Sequence, residues 1–328
     1  MTRPIRSYQG GVALITAILV VAIAALASTA LLVSANLAIH RTTALRDTEQ
    51  GWWLARGVES WVLGILKQDA DDNNYDGLDE PWAQPVDYLP VDQGFVRGQI
   101  MDAQGRFNLN NLAIPNTTVY QEQFARLLAS LDSKVLPQNL VANIRDWMDS
   151  DQTPTPPTGA EDSTYLNLPI PYRTADAPFS SVSELLAVEG VTPELYNALM
   201  TQCPLIADGA PRPCVTALPS SQATEINVNT AAERILQTLS NPPPEPAALQ
   251  QFLRERVENP DKDKNAFAQR NIYAGVAPAA MPAISISSQH FVLQGEVFVG
   301  SSRVALYSLI RRPKPGTPVV LAHSADAE

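Results

Sequence analysis

The chain is poor in the side chains that most enzymes use for proton and metal chemistry. It has three histidines, His40, His290 and His323, and two cysteines, Cys203 and Cys214. No HExxH, no GxSxG and no phosphate-cradling glycine loop occurs. Zinc peptidase, serine hydrolase and P-loop chemistry are thereby removed, and an enzyme would have only carboxylates to work with. The cysteines lie 11 apart with no CxxC or Cys/His spacing, so they do not read as a zinc site. A local disulfide is the expected state; it belongs in an oxidising compartment and, closing so short a loop, adds about 3 kcal/mol at most. Positive charge is short as well: 23 Lys and Arg against 34 Asp and Glu leave a net charge of −11, unsuited to nucleic acid or an anionic membrane surface.

Charge of either sign is missing altogether from Val12 to Ala35, a run of 24 residues. At ~1.5 Å per residue this crosses a hydrocarbon core of roughly 30 Å. A secretory signal has a core of about 7–15 residues with its small-residue cleavage site behind it; here the run is longer and the small residues come first. Arg3 and Arg6 lead into Gly10-Gly11, followed at once by Val12-Ala13-Leu14-Ile15. This order resembles a type IV prepilin (class III) leader. The resemblance implies that a prepilin peptidase cuts after Gly11 and methylates the new terminus, Val12. Cleavage after Gly10 would instead leave a glycine there. The glutamate usual at the fifth mature position of that class is Thr16 in this chain. Arginines flank the span on both sides, Arg3 and Arg6 against Arg41 and Arg46, so orientation rests on the cysteines and the leader.

Beyond the span a helical rhythm continues through Leu45, Trp52, Ala55, Val58, Val62 and Leu66, which predicts one helix from Val12 to about Lys67. Its first half is apolar all round and its second half has one stripe, with Trp52, Trp53 and Trp61 expected as core anchors. The acidic stretch Asp69 to Glu80 ends the helix. Within it Asp72-x-Asn74-x-Asp76-Gly77 matches half of an EF-hand loop, but Ala83 stands where the bidentate Glu belongs, so a solvated acidic loop is expected and a cation there is left open. Residues 95–101 and 106–110 around Asp102–Gly105 predict a β-hairpin, and two further strands fall at 289–299 and 303–311. A sheet assembled from both ends of the chain implies an inserted domain, roughly 112–283. Helices are predicted there at 119–131, 137–148, 182–188, 193–201, 231–239 and 247–258. Capping signals stand at Ser181 with Glu184, Thr230 with Glu233, and Thr192 before Pro193. The stretches 179–195 and 226–231 look like helix-hairpin-helix units, yet the first carries Glu189 and Glu194 and no basic residue, which predicts packing and not phosphate binding.

One acidic constellation has the chemistry of a hard-cation site. Asp146, Asp149 and Asp151 precede a ten-residue span that ends at Glu161-Asp162. Carboxylates on both sides of such a span can converge, with backbone carbonyls completing six to eight oxygens around Ca²⁺. Two carboxylates from each side, clustered without a cation, would repel one another; a solvent-facing acidic loop is the alternative.

Together these segments are similar to the K-type minor pseudopilins of type II secretion systems. The phrases that carry the resemblance are the glycine-ended leader without its glutamate, Gly105-Arg106-Phe107-Asn108-Leu109-Asn110, Asp146 to Asp162, Pro178-Phe179-Ser180-Ser181, Ile226-Asn227-Val228-Asn229-Thr230-Ala231 and Ser308-Leu309-Ile310-Arg311-Arg312. The resemblance implies an α+β fold: a pilin-like long N-terminal helix on a small antiparallel sheet, with a large mainly helical insert. The expected division is a leader 1–11, a membrane half 12–35, a pilin-like part 36–111 resumed at 284–328, and the insert 112–283. It further implies calcium held by Asp149, Asp151, Glu161 and Asp162. The implied setting is a Gram-negative inner membrane, crossed once, with the C-terminal domain in the periplasm. Implied partners are the I-type, J-type and then H-type minor pseudopilins, the prepilin peptidase and the inner-membrane assembly platform, with no nucleic acid. A surface type IV pilus is the alternative setting. Thr16 bears on position in the fibre: a carboxylate there needs the terminal amine of a subunit above it, and a subunit with nothing above would carry that charge unpaired in lipid.

Overall fold

A single helix, α1 (Gly10–Asp72), carries the chain from the apolar run onto the head in the computed structural model, which describes residues 10–115, 118–131, 137–205, 209–219 and 221–324. The leader before Gly10 and the last four residues lie outside the described residues. Every residue of α1 from Gly11 to Arg46 is exposed, and among the described residues this is the one helix long and apolar enough to cross a bilayer. From Gly51 onward it lies on a sheet, burying Ala55, Val62 and Leu66 at spacings of seven and four. Gly51 permits the close approach, since a Cβ there would stand 2.7 Å from a Val304 methyl.

That closeness overturns one expectation. Trp52, Trp53 and Trp61 are not core anchors: they are 37%, 72% and 50% exposed. A helix line that meets the sheet through glycine and alanine has no room for indoles, so they sit on its flank and outer face. The indole buried in the core beneath α1 is Trp82, edge-on to Phe291 with ring centroids 5.1 Å apart.

Five antiparallel strands form the sheet in the order β1-β2-β7-β8-β9, from β1 (Val86–Val91), β2 (Gly94–Asp102), β7 (His290–Val299), β8 (Ser302–Arg311) and β9 (Val319–Ser324). β2 pairs with β7 from Gly94↔Val299 to Asp102↔Phe291, so the chain between Asp102 and His290 leaves one end of the sheet and returns to it. Alternate residues Val96, Ile100, Phe291, Leu293, Val297, Val304, Leu306 and Ile310 face α1, as the period of a strand requires. This is an α+β pilin-like fold with a helical insertion.

The expected hairpin of 95–101 with 106–110 does not form. Both edges of β2 are taken by β1 and β7, and β3 (Phe107–Asn108) pairs in parallel with β4 (Val215–Thr216) inside the insert. Asp102 is the pivot. Its carboxylate accepts from Gln104 N (2.7 Å) within the turn, and from Asn227 Nδ2 (2.8 Å), Thr230 Oγ1 (2.6 Å) and Ser288 Oγ (2.6 Å) across it. Thr230 is thereby drawn off its expected capping role, and α6 (Glu233–Gln237) starts after Ala232 without a side-chain cap.

In the insert, α2 (Thr118–Ser130), α3 (Pro137–Met148), α5 (Pro193–Thr201) and α7 (Pro246–Glu255) stand where periodicity places them. Residues 182–187 form a 3₁₀ turn instead of an α-helix, with the Ser181–Glu184 capping box in place. Two short helices, α4 (Asp162–Tyr165) and α8 (Lys264–Gln269), and two two-residue strands, β5 (Ile226–Asn227) and β6 (Ile284–Ser285), complete it. Phe107, Leu109, Phe124, Leu127, Ile144, Tyr165, Leu185, Leu236 and Phe252 belong to its own core.

Candidate functional site

α3 and α4 are the supports of the acidic loop. Asp149 N donates to Arg145 O (2.9 Å), adding a last turn to α3, and the chain then doubles back to Glu161, the N-cap residue of α4. The loop closes on itself: Thr155 N donates to Asp146 Oδ2 (3.0 Å) and Gly159 N to Thr155 O (2.7 Å). Gly159 is needed for that closure, because a Cβ would lie 2.0 Å from Asp146 Oδ2 and 2.4 Å from Thr155 N.

Asp149, Asp151 and Glu161 each direct one oxygen to a common point, the three atoms lying within 4.8 Å of one another. Both Glu161 oxygens and Asp149 Oδ1 are buried with no hydrogen-bond partner among the described residues. Burial and the charges of Asp146, Asp149, Asp151 and Asp176 push the Glu161 carboxyl up to about 7, and burial with Asp151 and Asp146 raises Asp149. Buried acceptors without donors are costly, by roughly 1–3 kcal/mol each and more when charged. An all-oxygen anionic set of this kind fits a hard divalent cation, held by Asp149, Asp151 and Glu161.

Asp162, the fourth residue expected in the set, does not join the other three. Its carboxylate accepts from Thr174 N (3.0 Å), Thr174 Oγ1 (3.0 Å) and Arg173 Nη1 (2.7 Å). Against the desolvation of its site, these bonds hold its carboxyl below the usual range. The first residue of a helix turns its side chain away from the residue before it, which adjacency in sequence does not reveal. Asp146 and Asp176, by contrast, contribute their fields to the site.

A second set of carboxylates, Asp69, Asp76 and Glu80, also converges within 4.8 Å. Here the chain supplies the cation. Arg312, fully buried, pairs with Asp69, reaches Asp76 Oδ2 at 2.6 Å and lies over the Phe291 ring 4.5 Å from its centroid; Lys314 Nζ is 3.9 Å from Asp76. Glu80 accepts from Gly77 N and Trp82 Nε1, both 2.9 Å. The stretch 69–80 is therefore only partly solvated, and its EF-hand-like residues diverge: Asp76 is fully buried against Arg312, while Asp72 accepts from Gln68 Nε2 on the exposed helix end. Burial drives the Asp76 carboxyl up to about 6 against the pull of Arg312 and Lys314.

Cys203 and Cys214 are joined by a disulfide with Cα atoms 5.0 Å apart. Gly11 and Val12 lie in the exposed first turns of α1, and a side chain at Gly11 would meet nothing within 4 Å. Thr16 Oγ1 donates to Ala13 O (3.0 Å), which satisfies the hydroxyl within its own helix. In the first hairpin Val191 N donates to Val188 O (3.1 Å) and Glu189 N to Tyr165 Oη (3.1 Å), so these amides serve packing.

Residues 105–206 match the model of the family described as "Type II secretion system (T2SS), protein K". The type II secretion system protein K of Pseudomonas aeruginosa is 31% identical over 327 residues, covering 97% of this chain and 93% of that protein. The chain belongs to the type II secretion system protein K family. The Aeromonas hydrophila member is 30% identical over 341 residues, covering 95% of this chain and 96% of that one. The crystal structure of the GspK-GspI-GspJ complex from the enterotoxigenic Escherichia coli type 2 secretion system matches with a TM-score of 0.69 and 26% identity, covering 88% of this chain and all of the matched one. Family membership makes the chain a minor pseudopilin, a structural subunit and not an enzyme.

Proposed function

We propose that this chain sits once per fibre at the tip of the periplasmic pseudopilus, where it initiates or caps assembly and supports export of folded proteins across the outer membrane. The observation that carries the reading is Thr16, whose hydroxyl is satisfied by Ala13 O and so needs no partner subunit above it. A buried carboxylate at that position would cost several kcal/mol when unpaired. The bulk of the insert adds to this, since it hangs beside a helix that would have to pack ~8–10 Å from its neighbours in a shaft. Partners of this position are I-type and J-type minor pseudopilins, as in the GspK-GspI-GspJ complex, then the H-type subunit, with the prepilin peptidase and inner-membrane platform acting earlier. The peptidase cuts between Gly11 and Val12 and methylates Val12. The chain is anchored once in the inner membrane by residues 12–35. Its pilin-like part, 36–111 and 284–328, and its insert, 112–283, lie in the periplasm, where a Cys203–Cys214 bond persists.

We further infer that Asp149, Asp151 and Glu161 hold Ca²⁺, which brings oxygen coordination to the buried acceptors of Glu161 and ties the ends of α3 and α4. Gold labelling of the head on isolated fibres tests the position: one decorated end is expected, and label spaced along the shaft overturns it.

A further inference from the structure

The face of the sheet turned away from α1 carries more than a solvated polar surface. Tyr88, Phe95 and Phe298, on β1, β2 and β7, form one aromatic stack. Ring centroids are 5.0 Å apart at 29° between Tyr88 and Phe95, and 4.5 Å apart at 9° between Phe95 and Phe298. A register shift between Val86 and Leu89 sets two residues, Asp87 and Tyr88, against Arg97 alone, and this bulge aims the Tyr88 ring at Phe95. Tyr88 ends the stack and is 66% exposed, an aromatic surface that folding leaves unused.

Two polar rows cross the sheet beside the stack. Glu296 accepts from both Arg97 and Arg303, whose side chains are exposed, and Arg97 also lies over the Phe298 ring 5.2 Å from its centroid. Gln99 Nε2 donates to Gln294 Oε1 (3.2 Å), and Gln294 Nε2 donates to Tyr307 Oη (3.0 Å). Among the described residues this chain ends with Gln99 Oε1 as an open acceptor and the Tyr307 hydroxyl proton as an open donor. A depression of about 310 Å³ opens here, lined by Asp87, Arg97, Gly98, Gln99, Gln294 and Glu296. A cavity of ~150 Å³ in another protein holds one benzene ring, so this one has room for about two six-membered rings. Arg97 and Arg303 against Asp87 and Glu296 sum to zero, in a chain of net charge −11. A polyanion would meet two carboxylates here and a cation two guanidiniums. An uncharged ligand rich in hydroxyl and amide groups meets only donors and acceptors, with an aromatic surface beside them for the C–H face of its rings.

Resting on the periplasmic setting proposed above, we infer that this face binds the N-acetylated amino-sugar glycan of the cell wall, seating a disaccharide of the strand between Asp87 and Gln294 and laying the next ring on Tyr88. The carboxamides of Gln99 and Gln294 match acetamido groups, donor to acceptor and acceptor to donor. The spare N–H groups of Arg97 and Arg303 take ring hydroxyls, and the zero net charge of the face suits a neutral polymer. Because α1 packs on the other side of the sheet, a fibre assembled through its stems leaves this face outside. That is where a fibre crossing the periplasm meets the wall.

The test measures binding of the full-length chain in detergent to the β-linked hexamer of N-acetylglucosamine by calorimetry, and its co-sedimentation with purified wall sacculi. Saturable binding to both is expected. Gln294→Leu should weaken it about tenfold, through lost ligand hydrogen bonds, and Tyr88→Ala roughly fivefold, through the lost ring, each with an unchanged melting temperature. Should Gln294→Leu fold poorly, Gln99→Leu takes its place with the same expected loss. Absence of binding to either probe overturns the inference, as does binding that both variants leave intact, or equal binding of maltohexaose, which has no acetamido group. Gold-decorated fibre ends without sacculus binding refute the glycan face alone, and undecorated ends with binding intact refute the reading beneath it.

Discussion

The acid clusters at the ends of α1 and α3 use the same donors and meet opposite partners. Asp69, Asp76 and Glu80 close around Arg312 and Lys314, cations delivered by the chain just after β8. Asp149, Asp151 and Glu161 close around no Lys or Arg of the described residues, and Glu161 keeps two buried oxygens without donors among them. Three converging carboxylates are thus no sign of a metal until the search for a cation inside the chain has been made. The first cluster is a clasp: through Arg312 it fastens the end of α1 to Ser288 O (3.0 Å) at the return from the insert, and so holds insert and sheet together. The second, on the proposal above, receives an outside ion.

The largest effect comes from breaking the clasp. Arg312→Met strands Asp69 and Asp76 in the core, and removing one partner of a buried pair costs about 3–5 kcal/mol. Denaturant unfolding should show that loss with or without Ca²⁺. Equal stability of Arg312→Met and wild type would erase the distinction between the clusters.

Removing the ion comes next. Excess chelator should lower the melting temperature of the full chain in detergent, and Ca²⁺ in place of Mg²⁺ should restore it; a ligand at 100 times its Kd contributes about 2.7 kcal/mol. Asp151→Ala should abolish most of the shift. Gly159→Ala probes the same loop by sterics: a Cβ against Asp146 Oδ2 and Thr155 N forces the loop open, at about 1–3 kcal/mol for an overpacked site. Calorimetric scans with and without Ca²⁺ should show part of this loss as weaker ion uptake.

The smallest effect is the clasp's own share of the pH dependence. Asp76 has its carboxyl raised to about 6, above its unfolded value of 3.8. The folded state therefore binds the proton more tightly, and that stabilisation is present below about 4 and lost as pH rises through about 6. Asp76→Asn should flatten this part of the melting-temperature profile, leaving the Ca²⁺ response as it was.

Much of this was legible in the sequence because it is periodic or local. The 24 uncharged residues, the alternation of 289–299 and 303–311, the Ser181–Glu184 box and the Thr192-Pro193 start all act within a few residues of themselves. Long-range competition hid the rest. Thr230 caps nothing because Asp102, 128 residues away, takes its hydroxyl. Strand 106–110 does not fold back because β2 has no free edge. Asp76 resembled half of a calcium loop because its partner, Arg312, lies 236 residues on. Trp52 falls on the helical stripe beside Ala55, and only the nearness of the sheet at Gly51 and Ala55 decides that small residues face inward and leave the indoles at 52, 53 and 61 outside. Asp162 stood next to Glu161 in sequence and faces Thr174 in space.

Calorimetric titration of the metal-free full chain with CaCl₂, repeated for Glu161→Gln and Asp76→Asn, tests the central contrast most directly. The account predicts saturable uptake by wild type, loss of it in Glu161→Gln, and uptake unchanged in Asp76→Asn. Uptake that survives Glu161→Gln and disappears in Asp76→Asn would contradict it, for the ion would then sit where Arg312 is argued to stand.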